Sequence, residues 1–303
     1  MTGGGGDARD RAGFEEIVRR VWPDGRSGFA VLGGGITNHN LKITRPDGTY
    51  VLRISGKDTA LLGIDRSVEV QATRAAAAVG VGPEVVDVVQ PEGWLVTRFV
   101  EGAIPQVERM REPGMLRRVA ATLRAVHAGP PVHGRFNAFR VVEDYRTTAF
   151  ERGAEMPAAY AGARQVARRI EHTRRAAPER SCHNDLLNAN FIDDGHRLRI
   201  VDWEYAGMGD VFFDLANFSV NHGLDEGERD TLLEAYFGAV RPADRRVLEL
   251  MRFMSDFREA MWGVVQSAVS ELDFDFAAYA DEHFARLERT ASEPSFQAAL
   301  AGP

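Results

Sequence analysis

Residues Ser181 to Asp202, S-C-H-N-D-L-L-N-A-N-F-I-D-D-G-H-R-L-R-I-V-D, decide how this chain is read. His183, Asn184 and Asp185 are followed by Asn190, five positions beyond Asp185. An apolar pair, Phe191 and Ile192, runs into Asp193, Asp194 and Gly195, residue types that make turns. A second apolar run over residues 198–201 ends on Asp202. The pattern predicts a loop, a β-hairpin, and a carboxylate returned beside the loop. A lone Asp in a loop is most often a turn residue; this order and spacing across a hairpin is far more specific.

Phosphoryl transfer from a nucleotide needs those three groups together. One carboxylate accepts the proton of an attacking hydroxyl, and an Asn and a second Asp hold a divalent cation on the phosphates. The segment resembles the catalytic loop of the kinase-like small-molecule phosphotransferases, the aminoglycoside phosphotransferase and choline kinase group. The second motif, Asp202-Trp203-Glu204-Tyr205, is similar to the D-[FW]-E-Y form of choline and ethanolamine kinases. That resemblance implies Asp185 as catalytic base with His183 in the same motif, Asn190 as a metal ligand and Asp202 as the principal metal ligand.

Composition sets outer bounds. The chain has 303 residues, 44% of them hydrophobic, enough for a sizeable core in one bilobal unit or two domains. A net charge of -7 disfavours nucleic acid and anionic membranes and mildly favours a cationic substrate. The single cysteine, Cys182, cannot form an internal disulfide and fits a reducing, cytoplasmic setting. No activating partner for its thiolate is visible in the sequence, so Cys182 reads as a packing residue. No apolar run is long enough for a membrane span. The glycine-rich start lacks an apolar signal region, and residues 1–12 read as a disordered tail.

Residues 13–101 are expected to form the smaller, ATP-binding lobe. A short helix from Phe14 to Val21 precedes strands at residues 29–32, 41–44 and 50–54. Gly33, Gly34 and Gly35, followed by Thr37 and Asn38, lie between two paired strands, and no G-K-[ST] follows, which excludes a Walker A loop. A glycine-rich hairpin over nucleotide phosphates fits, and a plain hairpin turn would look the same. On the third strand Arg53 faces away from residues 50, 52 and 54. Kinases place a Lys there; the choline kinase group uses Arg in a similar context. Glu69, in an alanine-rich helix beginning near Asp65, is a candidate partner for Arg53, or a solvent-facing Glu. The last strands of the lobe lead to Phe99 and Val100, whose backbone is expected to meet the adenine.

Residues 102–303 are expected to form a larger, mainly helical lobe. Leu116, Val119, Ala120, Leu123 and Val126 define one apolar helix face. Asp214 is a candidate brace for the catalytic loop, or an ordinary helix N-cap. The segment from Arg258 to Leu287 resembles the C-terminal helices of choline and ethanolamine kinases, with Trp262-Gly263 keeping the first Trp of their W-G-x-W and Val265 replacing the second. Glu204, Tyr205 and Trp262 are the candidate acceptor-binding residues; Trp262 also fits plain helix packing.

The expectation is an α+β, bilobal, protein-kinase-like fold, with a small β-sheet lobe carrying one helix and a larger helical lobe. The expected activity is phosphorylation of the hydroxyl of a small amino alcohol, choline or ethanolamine first, using ATP and Mg²⁺. Two rivals stand beside it. Asp256, Glu259, Glu271, Asp273 and Asp275 suit an aminoglycoside or other metabolite phosphotransferase, and a non-catalytic pseudokinase is the binding-module alternative. The oligomeric state, monomer or homodimer, is left open by the sequence.

Overall fold

A computed structural model describes residues 5–33, 38–56, 59–174 and 177–302. The chain divides into two units, residues 1–57 with 83–100, and residues 58–82 with 101–303. The first is built on alternating apolar residues. Strands β1 (Gly28–Leu32), β2 (Asn38–Arg45), β3 (Gly48–Ser55), β4 (Val85–Val89) and β5 (Trp94–Arg98) form an antiparallel sheet in the order β1-β2-β3-β5-β4. The register sets Leu41 opposite Leu52 and Ile43 opposite Tyr50. With Ile54 and Val96, these side chains make one buried face. Helix α1 (Gly5–Val21) supplies Val18 to that face, with Phe14, Ile17 and Val21 packed around it. The helix starts well before Phe14, where the sequence reading began it; Ala8, Arg9, Arg11 and Ala12 are good helix formers and carry it back toward the glycines.

In the second unit, Asp65 caps helix α2 (Arg66–Ala78), its carboxylate accepting the N–H groups of Ser67 and Val68. This helix groups with the second unit rather than with the sheet. Then come α3 (Val107–Met110), α4 (Pro113–His127), α5 (Ala138–Glu151) and α6 (Tyr160–Thr173). Four short strands follow: β6 (Arg180–Cys182), β7 (Phe191–Asp193), β8 (Leu198–Ile200) and β9 (Gly207–Gly209). β7 and β8 make the expected hairpin, and β6 pairs with β9. Helices α7 (Val211–Asn221), α8 (Glu226–Phe237), α9 (Pro242–Val269), α10 (Phe276–Ser292) and α11 (Pro294–Ala301) complete the unit.

The predicted face of α4 is buried at every position, Leu116, Val119, Ala120, Leu123 and Val126. Helix α9 is the centre of the helical core, packed by α5, α7, α10 and α11. A sheet unit and a larger helical unit make this an α+β chain, as its sequence pattern predicts. Among the described residues, no helix is long and apolar enough to cross a membrane.

Candidate active site

The loop between β6 and β7 is held from below by helix α7. Asp214, fully buried in the first turn of α7, accepts the backbone N–H of His183 at 2.9 Å and of Asn184 at 2.7 Å. His127 Nε2 lies 2.9 Å from the oxygen that also serves His183. Burial pushes the Asp214 carboxyl up, but its bonds to His127 and the loop backbone outweigh this and hold it below the ordinary value. The N-cap of α7 is Asp210, which accepts the Phe212 N–H, so Asp214 is left to the loop.

One and two turns along, Asn217 and Asn221 continue the same support. Asn217 Oδ1 accepts the Leu186 N–H at 2.6 Å, and its amide donates to Ser255 Oγ at 3.1 Å. Asn221 Nδ2 donates to the Leu186 carbonyl at 3.4 Å.

His183 has 0% exposure and spends both ring nitrogens on backbone. Nδ1 accepts the Asp185 N–H at 3.2 Å, so Nε2 carries the proton and donates to the Val201 carbonyl at 3.0 Å. Burial pushes its pKa down, in keeping with that neutral tautomer. Trp203 meets the ring edge-on at 4.6 Å, and the indole N–H donates to the Ile200 carbonyl. His183 thus joins the loop to the strand that delivers Asp202.

Among the described residues, two non-glycine residues have left-handed backbone, Asn184 (φ 66°) and Asp202 (φ 67°). Such conformations cost about 1–3 kcal/mol each and persist only where the surroundings enforce them. Here they flank the candidate base and end the hairpin. Asn190 Nδ2 donates to the Asp185 carbonyl at 2.8 Å, and the Asn190 carbonyl accepts the Val201 N–H at 3.0 Å. The amide nitrogen is thereby turned inward, and the side-chain oxygen of Asn190 is left for another partner.

The Asp185 carboxyl, 9% exposed, is pushed up to about 8. Burial is the main cause; the charges of Glu259, Asp202 and Glu204 add to it, and Arg258 opposes it. Oxygen donors from Asp185, Asn190 and Asp202 with crowded negative charge suit a hard divalent cation, which would relieve that repulsion. The buried trio His127, Cys182 and Asp214 also lies within 4.8 Å. However, Asp214 is already committed to three N–H donors, and burial pushes the Cys182 thiol well up, so it stays a packing residue.

On the other side of the loop, Arg258 Nη1 stands 3.5 Å from Asp185 Oδ1 and bonds Glu259. Its guanidinium lies 4.5 Å over the Tyr205 ring. Tyr205 OH accepts the Trp262 indole N–H at 2.9 Å, and Tyr279 OH donates to Glu259 at 3.0 Å. Trp262 is only 6% exposed, with Phe276 and Tyr279 edge-on at 5.7 and 5.5 Å. Glu204 is buried and, with Glu69, meets the Arg66 guanidinium at 3.2 and 2.7 Å respectively. Asp256 is buried on His283 and Arg286, and Asp275 caps α10.

In the sheet unit, Gly33 follows β1 and Asn38 opens β2; Gly34, Gly35 and Thr37 lie outside the described residues. Arg53 is buried on β3, opposite Asn40. β5 ends at Arg98, so Phe99 and Val100 continue past it; the Phe99 N–H donates to the Thr49 carbonyl at 3.0 Å and Lys42 Nζ sits 3.8 Å over its ring.

Arg258, His127 and Asn217 are site residues that the sequence reading did not single out. Only Asn217 carried a signal, standing three residues after Asp214 on the same helix.

The chain matches known proteins along most of its length. The family model described as "Phosphotransferase enzyme family" matches residues 28–250. Human ethanolamine kinase 2 is 30% identical over 262 residues, an alignment covering 76% of this chain and 66% of that protein, so the chain spans about two thirds of that relative's length. A choline/ethanolamine kinase family protein from Mesorhizobium loti has a similar structure, with a TM-score of 0.82, 33% identity, and coverage of 95% of this chain and 98% of that one. Choline kinase LicA from Streptococcus pneumoniae shares the fold, with a TM-score of 0.78 at 22% identity, covering 92% of this chain and 98% of that one.

Proposed function

The chain belongs to the phosphotransferase enzyme family, and we propose that it transfers the γ-phosphoryl group of ATP to the hydroxyl of a small amino alcohol, choline or ethanolamine. The observation that carries this reading is the loop at Asp185. Its backbone is fastened by Asp214, Asn217 and His183, and it presents a carboxylate beside Asn190 and the end of the β7–β8 hairpin. The names of relatives, ethanolamine kinase 2 and a choline/ethanolamine kinase family protein, support the acceptor class.

In this reading the acceptor hydroxyl donates its proton to Asp185 Oδ as the oxygen bonds to the γ-phosphorus. The bond from that phosphorus to the bridging oxygen breaks, and ADP leaves with the electron pair. Asp185 acts as the carboxylate; burial and the neighbouring carboxylates oppose its ionisation, and Arg258, with a bound cation, would favour it. His183 is a positioning residue, since its ring touches only the protein's own groups. Asn190 and Asp202 would hold Mg²⁺, which when bound neutralises charge on the phosphates. Gly33, Gly34, Gly35, Thr37, Asn38 and Arg53 are assigned to the phosphates, and the backbone at Phe99 and Val100 to the adenine. Glu204, Tyr205 and Trp262 are assigned to the acceptor side.

Aminoglycosides fit less well. Of the carboxylates that suit them, Asp256 and Glu259 are buried on arginines, and Asp275 caps a helix.

The test is ADP release with ATP and Mg²⁺ on a panel of amino alcohols and aminoglycosides. Turnover confined to amino alcohols supports the reading; turnover confined to aminoglycosides, or none with any acceptor, overturns it.

A further inference from the structure

Among the described residues, Arg258 is the bulkiest of the fully buried side chains, with 1% of it exposed. A guanidinium in the interior is costly unless neighbouring groups answer it. Its hydrogen bonds and ion pairs go to groups of the candidate site. Nη1 bonds Glu259 and lies 3.5 Å from Asp185 Oδ1. Nη2 donates to the carbonyl of Asn184, the left-handed residue just before Asp185, at 3.2 Å. Its Cζ stands 4.5 Å from the centre of the Tyr205 ring. Among the described residues Nε finds no hydrogen-bond partner.

A planar cation with fixed donors can orient a carboxylate and cover an aromatic face at once; a flexible ammonium cannot do both. Covering that face has a consequence for the acceptor. A quaternary ammonium has no N–H and is recognised through open ring faces. Arg258 takes one face of Tyr205. Trp262 is hemmed edge-on by Phe276 and Tyr279, and its N–H is spent on Tyr205. The carboxylate left facing the acceptor side is that of Asp185, since Glu259 is held by Arg258 and Tyr279 and Glu204 by Arg66. A carboxylate beside a Tyr205 face that Arg258 already covers suits an ammonium with N–H donors better than one without them.

We infer that Arg258 is the positioning residue for Asp185 and, by occupying a face of Tyr205, biases the acceptor site against quaternary ammonium groups and toward hydrogen-bonding amines. The inference rests on the phosphotransferase reading above and deepens it.

The experiment follows ADP release from the full chain with ethanolamine, its N-methyl and N,N-dimethyl derivatives, and choline. For the wild type, kcat/KM should fall along the series, by roughly tenfold or more in total. Arg258→Met should lower kcat about 10²-fold while the KM for ATP stays within about twofold, because base orientation is lost and nucleotide contacts are not. Its choline-to-ethanolamine ratio should rise about fivefold as the Tyr205 face opens. Arg258→Met/Glu259→Gln avoids stranding a buried carboxylate and should show the same ratio shift; Arg258→Lys should recover part of kcat. A wild type that prefers choline, or folded variants with unchanged ratio and near wild-type kcat, would overturn the inference while leaving the kinase reading standing. A wild type that turns over none of the series but accepts aminoglycosides would sink the amino-alcohol reading and this inference with it.

Discussion

The Asp214 carboxylate receives the Asn184 N–H at 2.7 Å, and Asn184 is one of the two left-handed non-glycine residues of the site. A strained backbone immediately before the candidate base is thus fastened to a carboxylate that is itself completely buried. Replacing Asp214 by Asn keeps the shape but turns an amide N–H₂ toward one of the backbone donors. The expected cost is on the order of 1–3 kcal/mol in stability, with a kcat loss larger than any rise in the KM for ATP. Chemical denaturation together with steady-state kinetics checks both; an unchanged kcat would mean the loop holds its form without the brace.

Metal dependence separates the two candidate ligands. Asp202 brings a full charge and Asn190 a carbonyl dipole to a hard cation. Asp202→Ala should therefore lose Mg²⁺-dependent nucleotide affinity more severely than Asn190→Ala. Titrating Mg²⁺ against ATP affinity in both variants decides the matter, and equal small losses would place the cation on other residues.

Asp185 has a stability signature of its own. Its carboxyl stands at about 8, above an ordinary value of 3.8. A carboxyl whose pKa is raised on folding binds its proton more tightly in the folded chain. Its stabilising contribution is present below pH ~4 and is lost as pH rises through about 8. In metal-free protein Asp185→Asn should melt higher than wild type. The difference should grow between roughly pH 5 and 8, to on the order of 10 °C. A difference that stays flat over that range would argue against the raised carboxyl.

Trp262 tests the acceptor side. Trp262→Phe retains most of the packing against Phe276 and Tyr279 but removes the N–H that holds Tyr205 OH at 2.9 Å. The KM for the acceptor should rise severalfold while the KM for ATP stays level. A variant that only melts earlier would leave Trp262 as core and remove it from the acceptor site.

The parts of this site that were legible in the sequence are those whose geometry is local. Asp185, Asn190 and Asp202 are tied by a hairpin of known span, and the strand alternation at Leu41, Ile43, Tyr50, Leu52 and Ile54 declares its own buried face. Asp214 was readable as a brace or a cap, and Asp210 taking the cap distinguishes the two. Arg258 was not legible as a site residue. It meets the Asn184 carbonyl across 74 positions of chain, and nothing in its neighbourhood marks a basic residue for burial. His127 likewise reaches Asp214 across 87 positions. The burial of Trp262 was hidden for another reason: an aromatic residue on an apolar helix has the same pattern whether it lines a site or fills a core.

The most direct test of the account is the rate of ADP formation by Asp185→Asn, measured beside its affinity for ATP in the presence of Mg²⁺. The substitution preserves shape and removes the proton acceptor. The account predicts a kcat lower by roughly 10²–10⁴-fold, with ATP affinity nearly unchanged. A kcat near that of the wild type would contradict it, because Asp185 could then not be the group that receives the acceptor's proton.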